Sequence, residues 1–294
     1  MSFLDIVIDT SPMSRRGLLL GAGGVASLAA CGGPSAPSGP TPSPSTTTSA
    51  TSLPIDSKVF CIAHRGGGKN WPEMTAHAYQ QASRLKGLTA MEVSVHRSKD
   101  GVLVCHHDAD TLRVTGTKLV IAQSTWKQLA ELRVSAKDTL DPTQPSRPIA
   151  RFEEVLDLWP RQMTMWVEPK SDDAVEQLFQ LCLNYPDIKF VWKRPVNAPF
   201  ERAYLQGWGT FGYVLAGEQQ MRLMRTAATQ RYIQYFGVPT TATDAVVKQV
   251  VDECIEFGKK AVMWPLNNTI DRDRALAAGI TGLMCSDIKN LLIT

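Results

Sequence analysis

The chain has 294 residues, 44% of them hydrophobic and 20% charged, an ordinary globular composition. That excludes a disordered chain, a collagen and a multi-span membrane protein. Lysine and arginine number 31 against 28 aspartates and glutamates, and the net charge of +3 does not point to nucleic acid as a partner.

The first 57 residues do not read as a fold. Arg15-Arg16 precedes an apolar run, 17–30, that is shorter than the ~20 residues of a membrane-spanning helix but suits a signal-peptide core. The run ends in Leu28-Ala29-Ala30-Cys31, which resembles the lipobox of bacterial lipoproteins. Ser14-Arg15-Arg16 resembles the twin-arginine export signal. These resemblances imply a signal over 1–31, lipidation of Cys31 and an exported protein anchored to the outer face of the cytoplasmic membrane. In 32–57, 21 of the 26 residues are Gly, Pro, Ser or Thr, a composition that cannot bury enough apolar surface to offset its ordering entropy. It predicts a disordered tether. The domain is then 58–294.

Within the domain, β-rich runs are expected at 59–63, 90–95, 102–106, 163–168, 190–192, 211–215, 232–236, 261–264 and 282–285. Amphipathic helical stretches are expected at 74–85, 152–158, 173–183, 219–228 and 244–257. Such alternation over this length predicts an α/β fold with a parallel sheet closed as a (β/α)8 TIM barrel. An open doubly wound sheet shares the pattern, but no strand–GxGxxG–helix unit occurs. Five cysteines of the domain are scattered without a CxxC pair, and most sit in apolar runs as candidate buried thiols.

A barrel places its chemistry at the C-terminal ends of its strands. The first run leads into His64-Arg65-Gly66, and the second carries Glu92, Ser94 and His96 on one face. The third leads into His107-Asp108, and the fourth ends in Glu168-Pro169-Lys170. Four strand ends thus deliver histidines, carboxylates and cations together.

These residues, with Pro72-Glu73, the unbroken stretch from Glu92 to Asp108, Arg113 and Thr115, resemble the glycerophosphodiester phosphodiesterase family. Ile149–Leu158, Trp264-Pro265-Leu266-Asn267 and Gly279–Leu292 extend the resemblance over essentially all of 58–294. It implies hydrolysis of glycerophosphodiesters to an alcohol and glycerol 3-phosphate, with His64 and His107 as the acid–base pair. Arg65 and Lys170 would contact the phosphate, Trp264 would line the substrate pocket, and Glu92 and Glu168 would hold Mg²⁺ or Ca²⁺. Three positions depart from the family pattern: Ser94 stands where the family has its third ligand, an aspartate; Met74 replaces an asparagine; and Trp192-Lys193 replaces a common Ser-Phe. His96 is a candidate replacement ligand. Two other readings are a non-catalytic envelope lipoprotein that binds phosphodiesters and a phospholipase D of the sphingomyelinase D type. The implied partners are a small phosphodiester substrate and, through the anchor, a membrane.

Overall fold

The computed structural model describes residues 59–214, 222, 226 and 231–293. The signal, the Cys31 lipidation site, the tether and the helix expected at 219–228 lie outside the described residues, apart from Arg222 and Thr226, which are helical.

Eight parallel strands close into a barrel. They are β1 (Phe60–Ala63), β2 (Ala90–Arg97), β6 (Thr164–Pro169), β7 (Lys189–Pro195), β8 (Gly209–Tyr213), β9 (Tyr235–Pro239), β10 (Lys260–Leu266) and β11 (Gly282–Cys285). Each pairs with the next in that order. β1 also pairs with β11 along its full length and with β2 through Ile62–Ala90 and Ala63–Met91, which leaves no open edge in the ring. The run expected as the third strand of the alternation is instead β3 (Leu103–Cys105), antiparallel to β2. The five residues between them are too few for a parallel crossover, and Gly101 at φ 85° closes the turn. A two-residue ladder of β4 (Arg133–Val134) and β5 (Arg147–Pro148) lies in the long excursion before β6.

Strand residues alternate between two cores. Inside the barrel, Phe60, Ile62, Ala90, Trp166, Val191, Phe211, Tyr235, Val262 and Met284 form one cluster. Trp166 fills its centre, with ring centroids 5.1 Å from both Phe211 and Tyr235. Gly237 is required here, because a Cβ would lie 2.2 Å from Phe211 and 2.6 Å from Trp264. The outward positions pack under helices. The helix Asp172–Leu183 buries Ala174, Leu178, Phe179 and Cys182, a stripe at helical spacing. The helix Asp244–Glu256 starts at Thr243, whose hydroxyl accepts from the Val246 amide, and it buries Val247, Val250, Val251 and Cys254. The helix expected from residue 74 begins at Ala76, because Met74 has φ 59° and Thr75 is the cap. Asparagine tolerates that left-handed backbone better than methionine does. All five domain cysteines are buried free thiols.

Candidate active site

The inward alternation that fills the barrel with apolar side chains turns polar in its last layer. Beyond Ile62 comes His64; beyond Ala90 come Glu92 and Ser94. Beyond Trp166 comes Glu168, beyond Val191 comes Lys193, and beyond Phe211 comes Tyr213. Ser94 lies in register with Glu168 on the neighbouring strand. Glu92 and Ser94 are 0% exposed, Glu168 3% and Lys193 4%, so each of these polar groups needs partners.

All four carboxylate oxygens of the two glutamates have partners. Glu92 Oε1 accepts from Lys193 Nζ at 2.8 Å and from Ser94 Oγ at 3.1 Å, and its Oε2 accepts from the Arg65 amide at 3.0 Å. Glu168 Oε1 accepts from Lys170 Nζ at 3.2 Å and Tyr213 OH at 3.1 Å. Its Oε2 accepts from Lys193 Nζ at 2.6 Å and lies 3.4 Å from Ser94 Oγ. Burial pushes both carboxyls up, but the Lys193 charge and other nearby cations outweigh it and hold both below the usual carboxylate range. Burial pulls Lys193 down, but Glu168 and Glu92 outweigh it and keep the ammonium charged.

The residues present do not fit a divalent ion. The space between Glu92 and Glu168 is bridged by the Lys193 ammonium, the position expected of a third anionic ligand is a serine, and the serine proton is donated to the carboxylates. Among the described residues no three His, Cys, Asp or Glu side chains converge as a metal site. His96, the candidate replacement, directs Nε2 to the His107 carbonyl at 3.2 Å and so holds the turn after β3.

The two histidines are held differently. His107 places Nδ1 2.8 Å from Asp108 Oδ1, which fixes Nδ1 as the donor and leaves the Nε2 lone pair facing Lys170 Nζ at 3.5 Å. Burial, with the Arg65 and Lys170 charges, pushes its pKa down to about 4. His64 is 5% exposed and pairs Nδ1 with Ser286 Oγ at 2.9 Å; burial and the Arg65 charge lower its pKa well below the ordinary value. Both rings are therefore neutral near pH 7.

A further network supports His107. Arg113 donates from Nε to Asp108 Oδ2 at 2.6 Å and from its terminal nitrogens to Glu73 at 3.2 and 2.5 Å. Glu73 also receives Arg65 Nη1, at 3.2 Å to each oxygen. Arg65 has φ 56° and Gly67 φ 86°, and a Cβ on Gly67 would sit 2.8 Å from Ile288, so this turn is sterically fixed. Trp264, partly buried, packs 5.8 Å from the Tyr213 ring, whose hydroxyl bonds Glu168. The structure thus gathers His64, Arg65, Glu92, Ser94, His107, Glu168, Lys170 and Trp264 at one end of the barrel. Sequence reasoning did not single out Tyr213, Ser286 or the bridging role of Lys193. A period-2 count from Val191 would have turned Lys193 inward.

The barrel is the fold of solved glycerophosphodiester phosphodiesterase structures. Residues 64–206 match the model of the Glycerophosphoryl diester phosphodiesterase family. A "Glycerophosphodiester phosphodiesterase" of Caldanaerobacter subterraneus is 24% identical over 80% of this chain and 97% of its own length. A "Probable glycerophosphodiester phosphodiesterase 1" of Mycobacterium tuberculosis is 25% identical over 75% of this chain and 86% of its own. Among solved structures, an Oleispira antarctica phosphodiesterase in complex with the product sn-glycerol-3-phosphate shares the fold. Its TM-score is 0.64 at 19% identity, covering 79% of this chain and 94% of that one.

Proposed function

We propose that this phosphodiesterase hydrolyses glycerophosphodiesters to glycerol 3-phosphate and an alcohol, with His64 and His107 as the acid–base pair. The observation that carries this reading is His107, locked by Asp108 with its Nε2 lone pair beside Lys170. A phosphate oxygen drawn to Lys170 brings phosphorus next to that lone pair. His107 Nε2 takes the proton of the attacking water as the new P–O bond forms. The P–O bond to the departing alcohol breaks, and the alcohol oxygen takes a proton from His64 in its protonated form, which the proton gained by His107 restores at the end of the cycle. Charge developing on the non-bridging oxygens falls among Lys170, Arg65 and Lys193, in a layer screened from water. Glu73 holds the Arg65 guanidinium, and Trp264 with Tyr213 offers an apolar wall to the organic part of the diester. Export and anchoring through Cys31 belong to the same proposal and rest on the signal-like segment 1–31 and the tether 32–57. Supplying several glycerophosphodiesters and identifying the products tests the reading. Glycerol 3-phosphate is expected; choline phosphate or a comparable headgroup phosphate, or no product from any diester, overturns it.

A further inference from the structure

Lys193 sits where two carboxylates would share a metal ion. It follows Val191 on β7 by two residues, so strand alternation carries it from the apolar interior into the polar layer. Its ammonium lies 2.8 Å from Glu92 Oε1 and 2.6 Å from Glu168 Oε2, and the Tyr213 ring backs it at 5.7 Å. We propose that the Lys193 ammonium replaces the divalent ion at this site, so that the protein binds and cleaves its phosphodiester without a metal. This rests on the reading of the site as one that cleaves phosphodiesters.

Three observations carry it. The first is occupancy: the Lys193 ammonium bridges the glutamates, and each of their oxygens already accepts a hydrogen bond. The second is charge. Arg65, Arg113, Lys170 and Lys193 are in contact with Glu73, Glu92, Asp108 and Glu168, four cations against four carboxylates. A divalent ion added to this balance would leave an uncompensated double charge in a buried layer, which is strongly unfavourable. The third is chemistry. An ammonium has three N–H donors, and two are used by the glutamates. The third has no protein acceptor among the described residues, and it is free for a non-bridging oxygen of the substrate. Ser94 completes the arrangement. Its hydroxyl donates to the glutamates, where an aspartate would add a fifth negative charge and call for a second cation. Lys193 keeps its proton throughout, and the bonds made and broken are those of the hydrolysis alone.

The test is calorimetric titration of the wild-type protein with Mg²⁺, Ca²⁺ and Mn²⁺, paired with turnover in excess EDTA. No saturable heat up to millimolar ion and unchanged turnover in EDTA are expected. Lys193→Met should lower turnover by about 10²–10³-fold, the cost of removing one preorganised charge-stabilising donor, with no recovery on adding metal. The double variant Ser94→Asp with Lys193→Ala presents three carboxylates and no competing ammonium. It should gain saturable ion binding and a metal-dependent rise in Tm. Stoichiometric ion binding by the wild type, or turnover lost in EDTA and restored by ion, overturns the proposal. The titration needs no substrate, so a wild type that turned over no diester would refute the hydrolytic reading while the calorimetry still decided the metal question. It also decides if Lys193→Met does not fold.

Discussion

Asp108→Asn is the perturbation that isolates how His107 is prepared for proton transfer. Asp108 accepts from His107 Nδ1 at 2.8 Å and from Arg113 Nε at 2.6 Å, so both of its oxygens face donors. An asparagine of the same shape has one acceptor and one donor. Either its amide NH₂ meets Arg113, or it meets His107 Nδ1 and forces the other tautomer, which protonates Nε2 and removes the lone pair. The lost charge also matters once His107 carries the proton. A charge-assisted hydrogen bond contributes about 1.5–3 kcal/mol, and partial exposure of both side chains argues for the lower half of that range. About 2 kcal/mol corresponds to a drop in kcat of about 30-fold. The Asp108 hydrogen bond raises the His107 pKa against the burial that lowers it. The acid limb of kcat/KM, set near pH 4 in the wild type, should therefore move to lower pH in the variant. Steady-state kinetics from pH 3.5 to 8, with far- and near-UV circular dichroism as a fold control, measures both effects. Wild-type turnover, or an acid limb that moves upward, would refute the reasoning.

His64→Ala and His107→Ala should each lower turnover by about 10²–10⁴-fold with the fold intact. By contrast, His106→Ala should lower turnover far less than either, because strand alternation turns His106 to the side opposite His107, where its Nδ1 meets the Asp108 carbonyl; parallel assays of the three check this. Stability should fall on acidification. His107 has a folded pKa of about 4 against about 6.5 unfolded, so the unfolded chain binds more protons between these values; its contribution is present above pH 6.5 and is lost as the pH drops toward 4. Discounted for partial exposure, the loss at pH 4.5 is about 2 kcal/mol, read by urea denaturation at pH 7 and 4.5. Cys31→Ser should shift the protein from the membrane fraction to the soluble one in fractionated cells, and an unchanged distribution would refute lipidation there.

The barrel and most of its site were legible because each signal is local to one strand. His64, Glu92, Glu168 and Lys170 stand at or just beyond the ends of runs whose β character is plain in the sequence, and barrel geometry alone brings such ends together. Long-range pairings were not legible. Arg113 and Glu73 are 40 residues apart, and Lys193 and Glu92 are 101. Nothing in either segment indicates the partner. β3 was legible as a strand but was expected in the parallel alternation, because its β-rich composition is the same for a parallel and an antiparallel neighbour; the five-residue connection to β2 is what makes it a hairpin. Lys193 was hidden for a different reason. A lysine in a strand usually marks a solvent-facing position, and only the count of alternate residues from Val191 turns it inward. Its departure from the family pattern, taken with Ser94, was visible as two isolated changes. The structure joins them, since the serine removes one negative charge from the place where the lysine adds a positive one.

The central claim is that a lysine-centred barrel site hydrolyses glycerophosphodiesters. The most direct measurement is glycerol 3-phosphate release by the wild-type protein from glycerophosphocholine and glycerophosphoethanolamine, after removal of metal and in excess chelator. Steady release of glycerol 3-phosphate that His107→Ala abolishes is the predicted result. Release that appears only when Mg²⁺ or Ca²⁺ is added back, or no release under either condition, would contradict the account.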